Sequence, residues 1–177
     1  PEDLAFATSA LPNEIISILE KNGLQSIPIG ISYGTVQTII ANRKIEITTF
    51  RTNEKYQHGS RNPEVQFGKT IEEDLSRRDF TINCIAMTEE ERIIDPFEGF
   101  NDLLNGILRT PIYPYISFSD DPLRMIRACR FVGKFNMQCE SGTFSAIKKM
   151  AEMVKIVSAE RIFSEFTKIL LIPDPTI

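Results

Sequence analysis

Two short strings in this chain set chemically useful side chains at close intervals. In Asp120-Asp121-Pro122-Leu123-Arg124-Met125-Ile126-Arg127-Ala128-Cys129-Arg130-Phe131, a carboxylate and a guanidinium lie three residues apart. A carboxylate only accepts hydrogen bonds and a guanidinium only donates them. Side by side, they complement cytosine or adenine, whose pairing edges carry an amine donor beside a ring-nitrogen acceptor. They mismatch uracil and guanine, which present a carbonyl beside an N–H. Asp121 and Arg124 at i, i+3 can share one helical face and offer that pair. The same spacing also fits a plain helix cap with an i, i+3 ion pair. The second string, Asp74-Leu75-Ser76-Arg77-Arg78-Asp79-Phe80-Thr81-Ile82-Asn83, gathers two guanidiniums, a carboxylate and an amide. Read without context it is a charged turn before a helix.

The elements that must hold these groups follow from periodicity. Asp3 to Ala7 alternates like a strand end, and Thr8-Ser9 offers caps for a helix through Ile15, Ile16, Ile18 and Leu19 to Lys21-Asn22-Gly23. Leu24 to Ile29 reads as a strand. Residues 35–40 and 45–50, rich in β-branched side chains, read as a hairpin with Glu46, Thr48 and Phe50 on one face and Ile45, Ile47 and Thr49 on the other. Residues 51–62 are polar and predict a long loop. From Ser76 onward the pattern turns helical, with a strand edge at Ile93-Ile94 and a turn at residues 95–99. Ser119-Asp120-Asp121-Pro122 predicts a helix start, and that helix runs to about Phe135. Its predicted buried stripe is Ala128, Phe131, Val132 and Phe135, with Arg124, Arg127, Arg130 and Lys134 along another side, either solvated or facing phosphates. A further helix covers about residues 143–153, and a last one begins at Ser158 with Ile162, Phe166, Ile169 and Leu170 inward.

Composition narrows the classes. The apolar runs are far shorter than the roughly 20 residues a membrane span needs. A net charge of −4 argues against a general nucleic-acid adhesive, so any RNA footprint must be local. Cys84, Cys129 and Cys139 are an odd count without CxxC spacing and predict a reducing compartment, the cytoplasm or the interior of an organelle. The opening Pro1-Glu2-Asp3, lacking Met and any leader pattern, predicts a start inside a longer protein.

The Arg77 to Asn83 string matches the RRDFTIN motif of the class II tRNA nucleotidyltransferases, the family of CCA-adding enzymes and bacterial poly(A) polymerases. The Asp120 to Phe131 string resembles that family's E/D-D-x-x-R motif. The resemblance extends through Asp3 to Ala10, Gly34-Thr35-Val36, Glu46 to Arg51, Asp95-Pro96-Phe97, and Glu160-Arg161-Ile162 with Glu165 and Lys168. It implies an α+β fold: a small mixed-sheet, polymerase β-like head over residues 1–96, lacking its first strand and Gly-Gly segment. An all-helical neck and the start of a body follow over residues 97–177. The implied reaction is attack of a tRNA 3'-hydroxyl on the α-phosphate of CTP or ATP at two Mg²⁺ ions, with no membrane involved.

In that pattern Asp3 and Glu46 hold metal, but Ala5 stands where the second Asp of D-x-D is expected. A methyl group offers no oxygen ligand. Its loss as a ligand should cost roughly a thousandfold or more in rate, whether the change was introduced or natural. The resemblance further implies that Asp79 reads the ribose 2'-hydroxyl and that Arg77 and Arg78 neutralise the triphosphate or support the base. Asn83, Asp120, Asp121, Arg124, Arg127 and Arg130 complete the nucleotide site, and Arg51, Tyr56 and Arg61 belong to a flexible loop used in switching from C to A addition. His58, where an acidic residue is common, is a departure within that loop. The rival expectations are an A-adding enzyme or poly(A) polymerase, and a non-catalytic nucleotide- or RNA-binding relic.

Overall fold

Alternation of Val36 and Thr38 with Thr35 and Gln37 gives the first part of the chain a sheet with one dry and one wet face. The structure, a computed structural model, describes residues 4–55 and 64–173. Residues 4–54 with 64–74 form one compact unit and residues 75–173 another.

The first unit opens with strand β1 (Leu4–Thr8) and helix α1 (Pro12–Lys21), then β2 (Ile27–Gly30), β3 (Thr35–Ile40) and β4 (Arg43–Thr49). The strands order β1-β4-β3-β2 in one mixed sheet, with β1 parallel to β4 and the other pairs antiparallel. Ile15 and Leu19 of α1 pack on Val36, with Ile16, Leu24 and Ile47 around them. The helix begins later than the Thr8-Ser9 cap predicts. Thr8 Oγ1 instead accepts the Ala10 N–H, and Pro12 starts the first turn while Glu14 accepts the Leu11 N–H at 2.7 Å.

Between β3 and β4 the turn is only two residues, Ala41 and Asn42, both at positive φ (49° and 61°). This is the conformation whose twist suits a tight hairpin. Gly34 (φ 81°) ends the 3-10 turn before β3, where an added Cβ would meet the Phe67 ring at 2.7 Å. The described part of the predicted long loop is strand: β5 (Arg51–Lys55) pairs with β6 (Glu64–Phe67). Its remaining residues, Tyr56, His58 and Arg61 among them, lie outside the described ones. Helix α2 (Ile71–Ser76) follows, and so the helix ends at Ser76 instead of beginning there.

The second unit holds β7 (Ala86–Met87) paired with β8 (Ile93–Ile94), α3 (Gly99–Asn105), β9 (Ile107–Leu108), α4 (Pro114–Asp120) and α5 (Leu123–Phe135). Strand β10 (Gln138–Cys139), paired with β9, α6 (Ser141–Met150), a 3-10 stretch at Ala151–Ile156 and α7 (Ala159–Leu170) complete it. One core cluster joins Phe80, Leu108, Ala128, Phe131 and Met137, and another Phe118, Met125 and Ala146.

Three sequence expectations fail here for identifiable reasons. Ser119 and Asp120 do not open a helix, because α4, started by Pro114 at its first turn, already contains them, and α5 begins only at Leu123. Helix α7 does not bury Phe166 and Leu170, which are 51% and 58% exposed; it turns Glu165 inward at 3%. Phe135 is also outward, since it falls in the last turn of α5.

Candidate functional site

On the sheet, Ala5 of β1 sits directly opposite Glu46 of β4, and both are exposed. Partners in a parallel pair share a face, so a carboxylate at position 5 would stand beside Glu46. A hard divalent cation needs several oxygen ligands. Glu46 supplies one carboxylate and Ala5 none, and among the described residues no three His, Cys, Asp or Glu side chains are grouped to hold a metal ion. The described donor set therefore does not fit the expected pair of ions. Asp3 lies outside the described residues. Arg51, expected in the mobile loop, instead starts β5, and its N–H donates to Asp74 Oδ1 at 3.1 Å.

The helical unit brings together the carboxylates and guanidiniums of the two strings. After α2, the chain turns so that Phe80, in extended backbone, sends its ring into the core edge-on to Phe131 at 5.4 Å. Burial of such a ring is worth about 1.5–3 kcal/mol, and it pins the turn bearing Arg77, Arg78 and Asp79 to α5. Thr81 adds a second anchor by donating to Asp102 Oδ2 at 2.5 Å, and Asp102 in turn pairs with Arg109 Nε at 2.6 Å. Gly99 comes so close to the Thr81 carbonyl that a Cβ would sit 2.1 Å from its oxygen.

Asp79 is consequently held on every side. Oδ1 accepts the Phe80 N–H and Asn83 Nδ2, each at 2.9 Å, and Oδ2 accepts Arg127 Nε at 2.8 Å and Nη2 at 2.6 Å. A carboxylate has about four acceptor directions, so a sugar hydroxyl would have to displace one of these donors. Burial raises the Asp79 carboxyl, but the Arg127 charge and the hydrogen bonds from Asn83, Arg127 and Phe80 outweigh it, leaving a net downward shift. Arg78 Nη1 donates to the Asn83 carbonyl at 3.2 Å.

Asp121 and Arg124 are anchored differently. Asp121 Oδ1 accepts the Leu123 N–H at 3.2 Å and Oδ2 accepts Arg161 Nη2 at 2.8 Å, which leaves two acceptor directions without a partner among the described residues. Arg124 Nη1 donates to the Ser117 carbonyl and hydroxyl at 3.3 and 2.7 Å, and Nη2 to the Arg77 carbonyl, so two of its five N–H groups remain unspent among the described residues. Asp121 and Arg124 form no ion pair with each other. Both are buried, at 7% exposure. Asp120, at the last position of α4, is half-buried.

The arginine row of α5 is neither solvated nor open. Arg127 bridges Asp79 and Glu165, and Arg130 Nε reaches Glu165 Oε2 at 2.7 Å while its guanidinium lies 4.6 Å from the Phe131 ring centroid. Glu165 also takes Lys168 Nζ at 2.8 Å. Arg161 and Glu165 are not among the nucleotide-site residues expected from the sequence. The available signal was their spacing, which sets Arg161, Glu165 and Lys168 on one helical side.

A model described as "Poly A polymerase head domain" matches residues 1–109, more than half of the chain. The chain belongs to the poly A polymerase head-domain family. Within that family assignment, a second model, described as "Probable RNA and SrmB- binding site of polymerase A", matches residues 136–177, which include α6 and α7. Helix α5 falls between the two matches. Two similar relatives are CCA-adding enzymes of Ligilactobacillus salivarius and Streptococcus gordonii, each 42% identical over 98% and 97% of this chain and 42% of the relative. A crystal structure of the Bacillus stearothermophilus CCA-adding enzyme in complex with CTP shares 38% identity at a TM-score of 0.83, over 94% of this chain and 39% of that one. The Thermotoga maritima CCA-adding enzyme complexed with tRNA is 27% identical at a TM-score of 0.73. This family member thus spans about two fifths of the length of the relatives it matches, in the α+β class expected from its sequence. No helix among the described residues is long and apolar enough to cross a membrane.

Proposed function

We propose that this chain is the nucleotide-selecting part of an RNA nucleotidyltransferase that adds C, C and then A to the 3' end of tRNA, with CTP and ATP as substrates. The observation that carries the reading is the state of Asp121 and Arg124. Each is buried and tethered by its own neighbours, and each keeps unspent capacity of one kind, acceptors on Asp121 and donors on Arg124. Cytosine and adenine offer the complementary donor and acceptor, whereas uracil and guanine would set donor against donor and acceptor against acceptor. A buried group left unpaired costs about 1–3 kcal/mol, enough to reject a base without a template.

In this reading Arg77, Arg78 and Asn83 line the nucleotide, while Asp79 fixes Arg127 and reaches ribose only by exchanging a donor. Head and neck divide near residue 96. The names of the relatives favour CCA addition over a poly(A) or A-only product. Ala5 opposite Glu46 favours a chain with poor chemistry but intact nucleotide binding. The test is binding of CTP, ATP, UTP and GTP to the chain by calorimetry, alongside incorporation into a tRNA ending at its discriminator base. Selective binding of CTP and ATP, with incorporation of C, C and A only after Ala5→Asp, is the expected result. Equal affinity for all four nucleotides would refute the base-reading pair. A run of A alone would point to the polymerase product, and selective binding without incorporation by either form to a binding relic.

A further inference from the structure

We infer that Arg161 is a specificity-positioning residue: it orients the Asp121 carboxylate and thereby sets how sharply the site separates C and A from U and G. The inference rests on the reading of Asp121 as the base-reading carboxylate. Asp121 lies outside regular structure, in extended backbone between α4 and α5, so neither helix fixes its side chain. Its orientation depends on two donors, the Leu123 N–H at 3.2 Å and Arg161 Nη2 at 2.8 Å. The first is a long bond from a neighbour two residues away. The second is a short, charge-assisted bond from α7, 40 positions along the chain, between side chains only 20% and 11% exposed.

Arg161 is itself placed by the helix it rides on. One turn further, Glu165 ties α7 to α5 through Arg127 and Arg130. The guanidinium occupies one acceptor position on Asp121 Oδ2 and so directs the remaining ones, a constraint that a neutral or absent partner would release. A carboxylate free to rotate could turn away from the amine of cytosine or adenine, or admit a water that satisfies the wrong base. Arg161 does not read the base in this account; it acts through Asp121.

The experiment measures dissociation constants of all four nucleoside triphosphates for the chain and for Arg161→Gln and Arg161→Lys. In Arg161→Gln, affinity for CTP and ATP should fall about tenfold while that for UTP and GTP holds, and Arg161→Lys should recover part of the difference. A folded Arg161→Gln with unchanged discrimination, or with all four affinities lowered together, would overturn the inference and leave Arg161 a purely structural tie. If Arg161→Gln does not fold by circular dichroism, Arg161→Lys decides: a selective fall for CTP and ATP smaller than tenfold supports the inference, and a fall shared equally by all four nucleotides overturns it. A wild-type chain that binds the four nucleotides equally removes the base-reading pair itself, and the inference with it.

Discussion

Arg127 grips a single oxygen of Asp79 with both Nε and Nη2, at 2.8 and 2.6 Å, across 48 positions of sequence. The same guanidinium reaches Glu165 Oε1 on α7 at 3.4 Å. The Arg77 to Asn83 turn, α5 and α7 are therefore joined through one cation, and the two carboxylates that face it are buried.

This network should make the fold acid-sensitive. Burial raises both carboxyls, but the Arg127 charge and hydrogen bonds on Asp79, and the Lys168, Arg130 and Arg127 contacts on Glu165, hold them below their ordinary values of 3.8 and 4.5. A depressed folded-state value means that the unfolded chain binds more protons, so stability rises with pH through this range. The contribution is complete above the ordinary values and is lost as pH falls through the lower folded ones. Thermal unfolding followed from about pH 6 down to about pH 3 should show a falling midpoint. Glu165→Gln should flatten that slope and cost about 3 kcal/mol at neutral pH, since it leaves the Arg127 and Arg130 charges less compensated. An unchanged pH profile would show that the pairs do not persist in solution.

Gly99 should tolerate no side chain. Its missing Cβ would lie 2.1 Å from the Thr81 carbonyl oxygen and 2.7 Å from its carbon, both backbone atoms that cannot swing aside. Gly99→Ala should destabilise the helical unit by about 3 kcal/mol or more and weaken nucleotide binding, because Thr81 buttresses the Arg77 to Asn83 turn. Denaturant unfolding measures the first effect and calorimetry the second.

Cys84 and Cys129 should separate by reactivity. Cys84 is fully buried, its S–H donates to the Leu75 and Phe80 carbonyls at 3.1 Å, and burial pushes its thiol up to about 12. Cys129 is exposed. Alkylation near pH 8 followed by peptide mass spectrometry should label Cys129 in the native chain and Cys84 only in denaturant, because the thiolate is the reactive form.

Ala41 is a point where stability can be raised. It holds φ 49° in the two-residue β3–β4 turn, a region in which an L side chain is strained and glycine is not. Ala41→Gly should raise stability by about 0.5–1 kcal/mol, read from the shift in the denaturant midpoint.

Local chemistry made helix α5 and the sheet readable in advance. The alternation of Ile45, Glu46, Ile47 and Thr48 gave both the strand and its two faces, and the Asp121 to Phe131 string gave α5 and its core residues Ala128 and Phe131. The partners of those groups were not readable. Arg161 meets Asp121, and Glu165 meets Arg127 and Arg130, across 35 to 40 positions, and only tertiary packing brings them together. A second failure has a different origin. The period of α7 tells that it is two-sided but not which side faces the protein, and its charged side won because α5 presents arginines there instead of an apolar groove.

The inside-out setting of α7 also governs how the polypeptide behaves in bulk. With Phe163, Phe166 and Leu170 exposed along a helix rooted by ions and Leu171 exposed just past its end, between 51% and 78%, the chain has the character of a surfactant. It will adsorb to air–water boundaries and to hydrophobic chromatography resins, and high salt will strengthen that adhesion by favouring apolar burial.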